Sequence, residues 1–205
     1  MPAQEWERPP HGTSVEDFFQ TWLPAAYEAA GLRAPDNAPV VRASVTGVGG
    51  GVWDLRATED TLLTGPPARE PPGIWVRQKV EDFRATFDGD PDLPALLPPG
   101  WSALDMLFLD AREADALRSV QGRIVLELEG RRARRWSLDV GFGKTGVSAG
   151  RPRTTVRVDG ATFEGIQSGA IPPLQPLLDG RLKLEVDRAL AMQLLLLLGG
   201  RLARR

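Results

Sequence analysis

Leu178-Asp-Gly-Arg-Leu-Lys-Leu-Glu-Val-Asp187, followed by Ala189-Leu-Ala-Met192, is the stretch on which the fold turns. Leu182, Leu184 and Val186 alternate with Lys183, Glu185 and Asp187, the period-2 pattern of a half-buried strand. Arg188–Leu198 then reads as a helix, with Leu190, Met192 and Leu194 to Leu198 placing apolar groups all round it. A surface helix needs an apolar stripe only about 100° wide. This one is either a core helix buried on several sides or the wall of an apolar cavity. Ala189 to Leu198 is also too short to cross a bilayer, which takes about 20 apolar residues.

Upstream, Ile166, Ile171, Leu174, Leu177 and Leu178 form a second apolar group interrupted by Pro172, Pro173 and Pro176. Prolines at this density predict no regular helix, so the segment reads as either a lid or a packed loop. Before it, Gly122–Glu129, Trp136–Val140, Val147–Ala149 and Thr154–Val158 read as strands, and Ala161–Gln167 as a short helix. The first half has the same grammar: strands at Val40–Thr46, Val52–Ala57, Leu62-Leu63 and Gly73–Lys79, then a helix at Val80–Phe87. A second helix is expected within Ser102–Val120. At the start, Met1–Thr13 reads as a loose leader and Ser14-Val-Glu-Asp17 as a capping box. The helix that follows carries Phe18, Trp22, Ala25, Ala26 and Ala29, with a kink or break expected at Pro24 and an end at Gly31.

The two halves align. Trp53-Asp-Leu55 and Trp136-Ser-Leu138 are 83 residues apart; Val76, Phe83 and Gly89 have counterparts 80 residues on, at Val156, Phe163 and Gly169. Ala103-Leu-Asp-Met106 resembles Ala189-Leu-Ala-Met192 at a spacing of 86. Matches in one order at nearly constant spacing point to an internal repeat.

The second half resembles the sterol carrier protein 2 (SCP2) family of lipid-binding domains. Three features carry the resemblance: the Trp136-x-Leu138 strand, the Val156-Arg-Val-Asp159 strand running into the Phe163 helix, and the closing Gly-x-Leu-x-Leu-x-x-Asp pattern before an apolar helix. It covers Gly122 to Gly200 well and Val40–Phe108 more faintly. The first half lacks the Gly-x-Leu-x-Leu strand; Pro94 to Trp101 stands in its place. The resemblance implies an α+β fold, with mixed, mainly antiparallel sheets covered by helices, and an apolar tunnel between sheet and helices. The expected organisation is a leader at 1–13 and two related halves. One is a degenerate SCP2-like half at 14–110; the other, at 111–205, binds lipid.

Composition narrows the function. The chain has 205 residues, no cysteine and one histidine, His11, with a net charge of −2. Disulfides, thiolate metal sites and cysteine nucleophiles are excluded, and a Ser-His-Asp site is hard to build. A nucleic-acid binder usually carries a strong basic excess, which is absent. Gly143-Lys-Thr145 has the tail of a phosphate-binding loop but Leu138 where the motif needs glycine. Asp88-Gly-Asp-Pro-Asp92 fails as a calcium loop at Leu93 and Pro99. No cofactor, metal or catalytic residue is expected, and with no secretory signal visible the expected location is cytoplasmic.

Two readings of function remain. One is a non-catalytic carrier of an apolar molecule: a fatty acid, an acyl lipid, or a sterol- or isoprenoid-like compound. Its expected wall is Phe163, Ile166, Leu184, Leu190, Met192, Leu194 and Leu195. The other is an interaction module whose apolar groove holds a partner helix or a second copy in a homodimer. Arg131, Arg132, Arg134 and Arg135 at a hairpin tip are either a solvated face or a contact for anionic membrane headgroups.

Overall fold

The computed structural model describes residues 9–88, 111–129, 135–143, 153–167, 170–172, 174–185, 187, 190 and 193. Eight strands form one mixed sheet in the order β3-β2-β1-β4-β6-β5-β7-β8. They are β1 Val41–Thr46, β2 Gly51–Ala57, β3 Leu62–Gly65, β4 Ile74–Lys79, β5 Gly122–Glu129, β6 Arg135–Phe142, β7 Arg153–Asp159 and β8 Leu182–Glu185. The β1–β4 and β5–β7 pairs are parallel; all other neighbours are antiparallel. The sequence points to sheets in the plural, but there is one. β4 and β6 pair from Ile74↔Phe142 to Arg77↔Asp139, so the ladder runs unbroken across the expected boundary at 110/111.

The first helical segment starts as its capping box requires. The Asp17 N–H donates to Ser14 Oγ at 3.0 Å, and the serine hydroxyl donates to the Asp17 carboxylate at 2.7 Å. At Pro24 the chain does not break. Helix α1 (Val15–Asp17) passes through a π-helical turn, Phe18–Trp22, into α2 (Leu23–Ala29). The Leu23 N–H reaches back to the Phe18 carbonyl. That wider turn lies just ahead of Pro24, where an ordinary turn sets the ring against the carbonyl four residues back.

Helices α3 (Val80–Phe87), α4 (Ala111–Ser119) and α5 (Gly160–Gln167) follow their expected positions, α5 starting one residue early. Residues 102–110 of the expected Ser102–Val120 helix, the expected strand Val147–Ala149 and most of Arg188–Leu198 lie outside the described residues. A short helix, α6 (Leu174–Leu178), stands where the prolines predicted none. Pro176 is its third residue, and the first N–H groups of a helix have no partner inside it, so the missing donor there costs nothing.

Alternation gives the sheet two unlike faces. The inner face buries Val41, Ala43, Val45, Trp53, Leu55 and Ile74 with Phe18, Phe19, Val80 and Phe83 from the helices. The outer face is ionic. Arg123 grips the Asp139 carboxylate with two bonds of 2.7 and 2.6 Å, and Arg77 lies 3.5 Å from it. Arg157 bridges Glu127 and Glu185.

The strongest of these pairs is buried. Arg42 meets both oxygens of Asp54, and its Nη2 also donates to the Ala68 carbonyl at 2.7 Å. The Ala68 N–H returns a bond to Asp54 at 2.8 Å, which ties the loop after β3 across β1 and β2. Burial pushes the Asp54 carboxyl up. The bonds from Arg42 and Ala68, with the Arg42 and Arg56 charges, outweigh this and hold it below its usual 3.8. Unfolded chains therefore bind that proton at higher pH than folded ones. The stabilisation is complete above about 3.8 and is lost as pH falls through the lower, folded value. Asp54→Ala strands the buried guanidinium and is expected to cost about 3–5 kcal/mol at neutral pH in urea unfolding. Its penalty should shrink below the pH at which wild-type Asp54 is protonated; a pH-independent penalty would contradict this.

Candidate functional site

The inner face changes character along the sheet. On β4 to β8 the register places Leu138, Leu126, Val156 and Leu184 in one row. Trp136, Leu128, Val158 and Leu182 form the next. In that second row Trp136, Leu128 and Val158 are buried and join Ala85 of α3 and Phe163 of α5 in a compact cluster. Leu126, Leu138, Val156 and Leu182 are only half-buried, as are Ile124 and Val140 one row away. A strip of apolar side chains thus crosses β6, β5, β7 and β8 with water reaching part of every one. Its chemistry is apolar contact without a formal charge, which suits a hydrocarbon surface.

The edges of the strip are held by polar devices. The Trp136 indole N–H donates to the Asp82 carbonyl at 2.9 Å, with Thr86 Oγ1 at 3.1 Å. The Asp82 carboxylate accepts from the Ser137 N–H at 3.3 Å and its hydroxyl at 3.2 Å. The β4–β6 ladder ends at Arg77–Asp139, and Asp82 takes up the Ser137 N–H just past that end. Asp159 caps α5: it accepts from the Thr162 N–H at 2.8 Å and the Thr162 hydroxyl at 2.7 Å. Burial raises the Asp159 carboxyl, and these bonds with the Arg181 charge bring it below the usual value. Asp187, which closes the Gly-x-Leu-x-Leu-x-x-Asp pattern, accepts from the Leu190 N–H three residues on at 3.0 Å, the bond an N-cap makes.

Of the residues expected to line a cavity, Phe163 is buried in the cluster with Trp136. Leu190 is buried in the other cluster, with Ala114, Leu117 and Val120. Leu126, Leu138 and Leu182 of the strip pack against the Phe163 cluster, and Ile124 and Val140 beside it pack against the cluster that holds Leu190. Leu184 takes an inner-face position opposite Val156, and Ile166 lies on α5. Met192, Leu194 and Leu195 lie outside the described residues, as do Arg131, Arg132 and Arg134; Arg135 is exposed at the start of β6. Leu126, Leu138 and Val156 were not among the expected wall residues, although their alternation with Glu127, Asp139 and Arg157 marks them as inner-face positions.

His11 is 94% exposed, with Nδ1 3.6 Å from the Asp88 carboxylate, away from the strip. Among the described residues no group of three His, Cys, Asp or Glu is placed to hold a metal ion, and no helix is long and apolar enough to cross a membrane.

Residues 104–198 match the model of the SCP-2 sterol transfer family. Similar curated proteins are hydroxysteroid dehydrogenase-like protein 2 of Xenopus tropicalis and of Xenopus laevis. Each is 33% identical over 89 residues, which is 42% of this chain and 21% of the relative. The chain thus spans about a fifth of the length of these relatives. Among solved structures, sterol carrier protein 2 from Yarrowia lipolytica, in its apo form, is 16% identical with a TM-score of 0.30, covering 55% of this chain and 87% of that one. Residues 104–198 are thus similar in sequence to SCP2 domains.

Because Asp159 fixes where α5 begins, and so where Phe163 sits, Asp159→Ala is expected to cost about 0.5–2 kcal/mol in thermal unfolding, and Asp159→Asn clearly less. Equal losses for the two would argue against a capping role.

Proposed function

We propose that the chain carries an apolar ligand, such as a fatty acid, acyl lipid, sterol-like or isoprenoid-like molecule. The ligand lies in a tunnel between the inner face of β5 to β8 and the helix expected from the sequence at Arg188–Leu198. The observation that carries this reading is the half-buried strip of Leu126, Leu138, Val156 and Leu182 inside the region that matches the sterol transfer family. Phe163, Ile166, Leu184, Leu190, Met192, Leu194 and Leu195 complete the wall in this reading. Binding energy comes from apolar burial, about 25 cal/mol per Å² removed from water. The protein acts by holding its ligand rather than transforming it, in the cytoplasm. Arg131, Arg132, Arg134 and Arg135 meet anionic headgroups during transfer, at about 1 kcal/mol per basic residue near the surface.

Leu126→Trp fills the middle of the strip. A fluorescent fatty acid is expected to bind the wild type and not this variant, with the thermal midpoint little changed. If Leu126 is instead packed in a full core, the substitution strains the structure by about 1–3 kcal/mol. A fallen midpoint, together with a wild type that binds no probe, would overturn the carrier reading. A wild type that binds nothing and runs as a dimer would favour the interaction module.

A further inference from the structure

The two parts of the sheet share one plan. In the first, the hairpin β1–β2 is joined by β4 parallel to β1, and α3 follows directly. In the second, the hairpin β5–β6 is joined by β7 parallel to β5, and α5 follows directly. Trp53 and Trp136 lie on the second strands of these hairpins, and Phe83 and Phe163 are each the fourth residue of the helix. Flanking strands correspond too: β8 lies antiparallel beside β7, and β6 lies antiparallel beside β4. The strand missing from the first half in the sequence is thus replaced in space by β6.

The contents of the two inner faces differ. In the first, Phe19 stacks on Trp53, ring centroids 4.7 Å apart and planes at 19°, and lies 5.6 Å from Phe83. Phe18 meets Phe83 edge-on at 5.1 Å and Phe87 at 4.7 Å. Phe19 therefore lies between the tryptophan strand and the phenylalanine helix, and Phe18 packs beside it against that helix. In the second, Trp136 and Phe163 are buried in one cluster with no third ring stacked on either among the described residues, and Leu126, Leu138 and Leu182 pack against that cluster only half-buried.

We propose that the first part is a second copy of the apolar site, in which Phe18 and Phe19 act as a built-in occupant. This rests on the carrier reading and sharpens it: the chain takes one apolar ligand, in its second part. A further site for a molecule with one or two aromatic rings opens only when those two side chains are removed, as cavities cut into apolar cores take up benzene-sized guests.

The test is the stoichiometry of N-phenyl-1-naphthylamine on the full chain. The wild type is expected to bind one equivalent, the Phe18→Ala/Phe19→Ala double variant two, and the same double variant with Leu126→Trp one. A folded double variant that still binds one equivalent overturns the proposal, and so does a wild type that binds two. A wild type that binds none overturns the carrier reading instead. If the double variant does not fold, Phe19→Ala alone removes one ring. Its thermal midpoint is then expected to rise with benzene concentration while the wild-type midpoint stays flat; no benzene-dependent rise in the folded single variant overturns the proposal.

Discussion

The antiparallel pairing of β4 with β6 holds the rest of the structure together. Without it each half has a sheet with an open edge next to apolar side chains: Ile74 and Val76 on one side, Val140 and Phe142 on the other. Open edges of that kind invite wrong partners. With it, one sheet carries a continuous inner face, and α3 sits over the seam. Its Val80 and Phe83 pack into the larger cluster and its Ala85 into the smaller one. The bonds from Trp136 and Ser137 to Asp82 tie that helix to the strand on the far side of the seam.

The two faces of the sheet divide the work. On the outer face, Asp54 and Asp139 are each gripped by an arginine at two points. Arg42 also lies 5.2 Å from the centre of the Trp75 ring, and Arg77 lies 5.7 Å from it. Such contacts fix register and hold the sheet rigid. More exposed pairs such as Arg157 with Glu185 add little stability. A rigid sheet leaves the inner face free to be packed in one place and open in another. Aromatic rings close it over β1 and β2, while over β5 to β8 Leu126, Leu138 and Leu182 stay in partial contact with water.

Much of this was legible in the sequence, because strand alternation and helix caps are local signals. Gly122–Glu129, Trp136–Val140 and Leu182–Val186 announce both their state and their inner face. The errors came where distant parts decide. Pro24 marked a kink or a break and meets a widened turn, while Pro176 looked like a break and falls in the first turn of a helix. Nothing near Arg42 and Asp54 in sequence shows that the carbonyls of Ala68 and Glu70 close over Arg42. Nor does any local pattern say that β4 will pair with β6.

The central claim is that the open stretch of the inner face, and not the closed one, receives an apolar chain. Methyl-resolved NMR with Leu and Val labelled and a fatty acid carrying ¹³C along its chain tests it most directly. The account predicts intermolecular cross-peaks from the acyl chain to the methyls of Leu126, Leu138 and Val156, and none to Val41, Val45 and Leu55. Cross-peaks to the second set, or a saturating fatty acid that leaves every methyl unmoved, would contradict it.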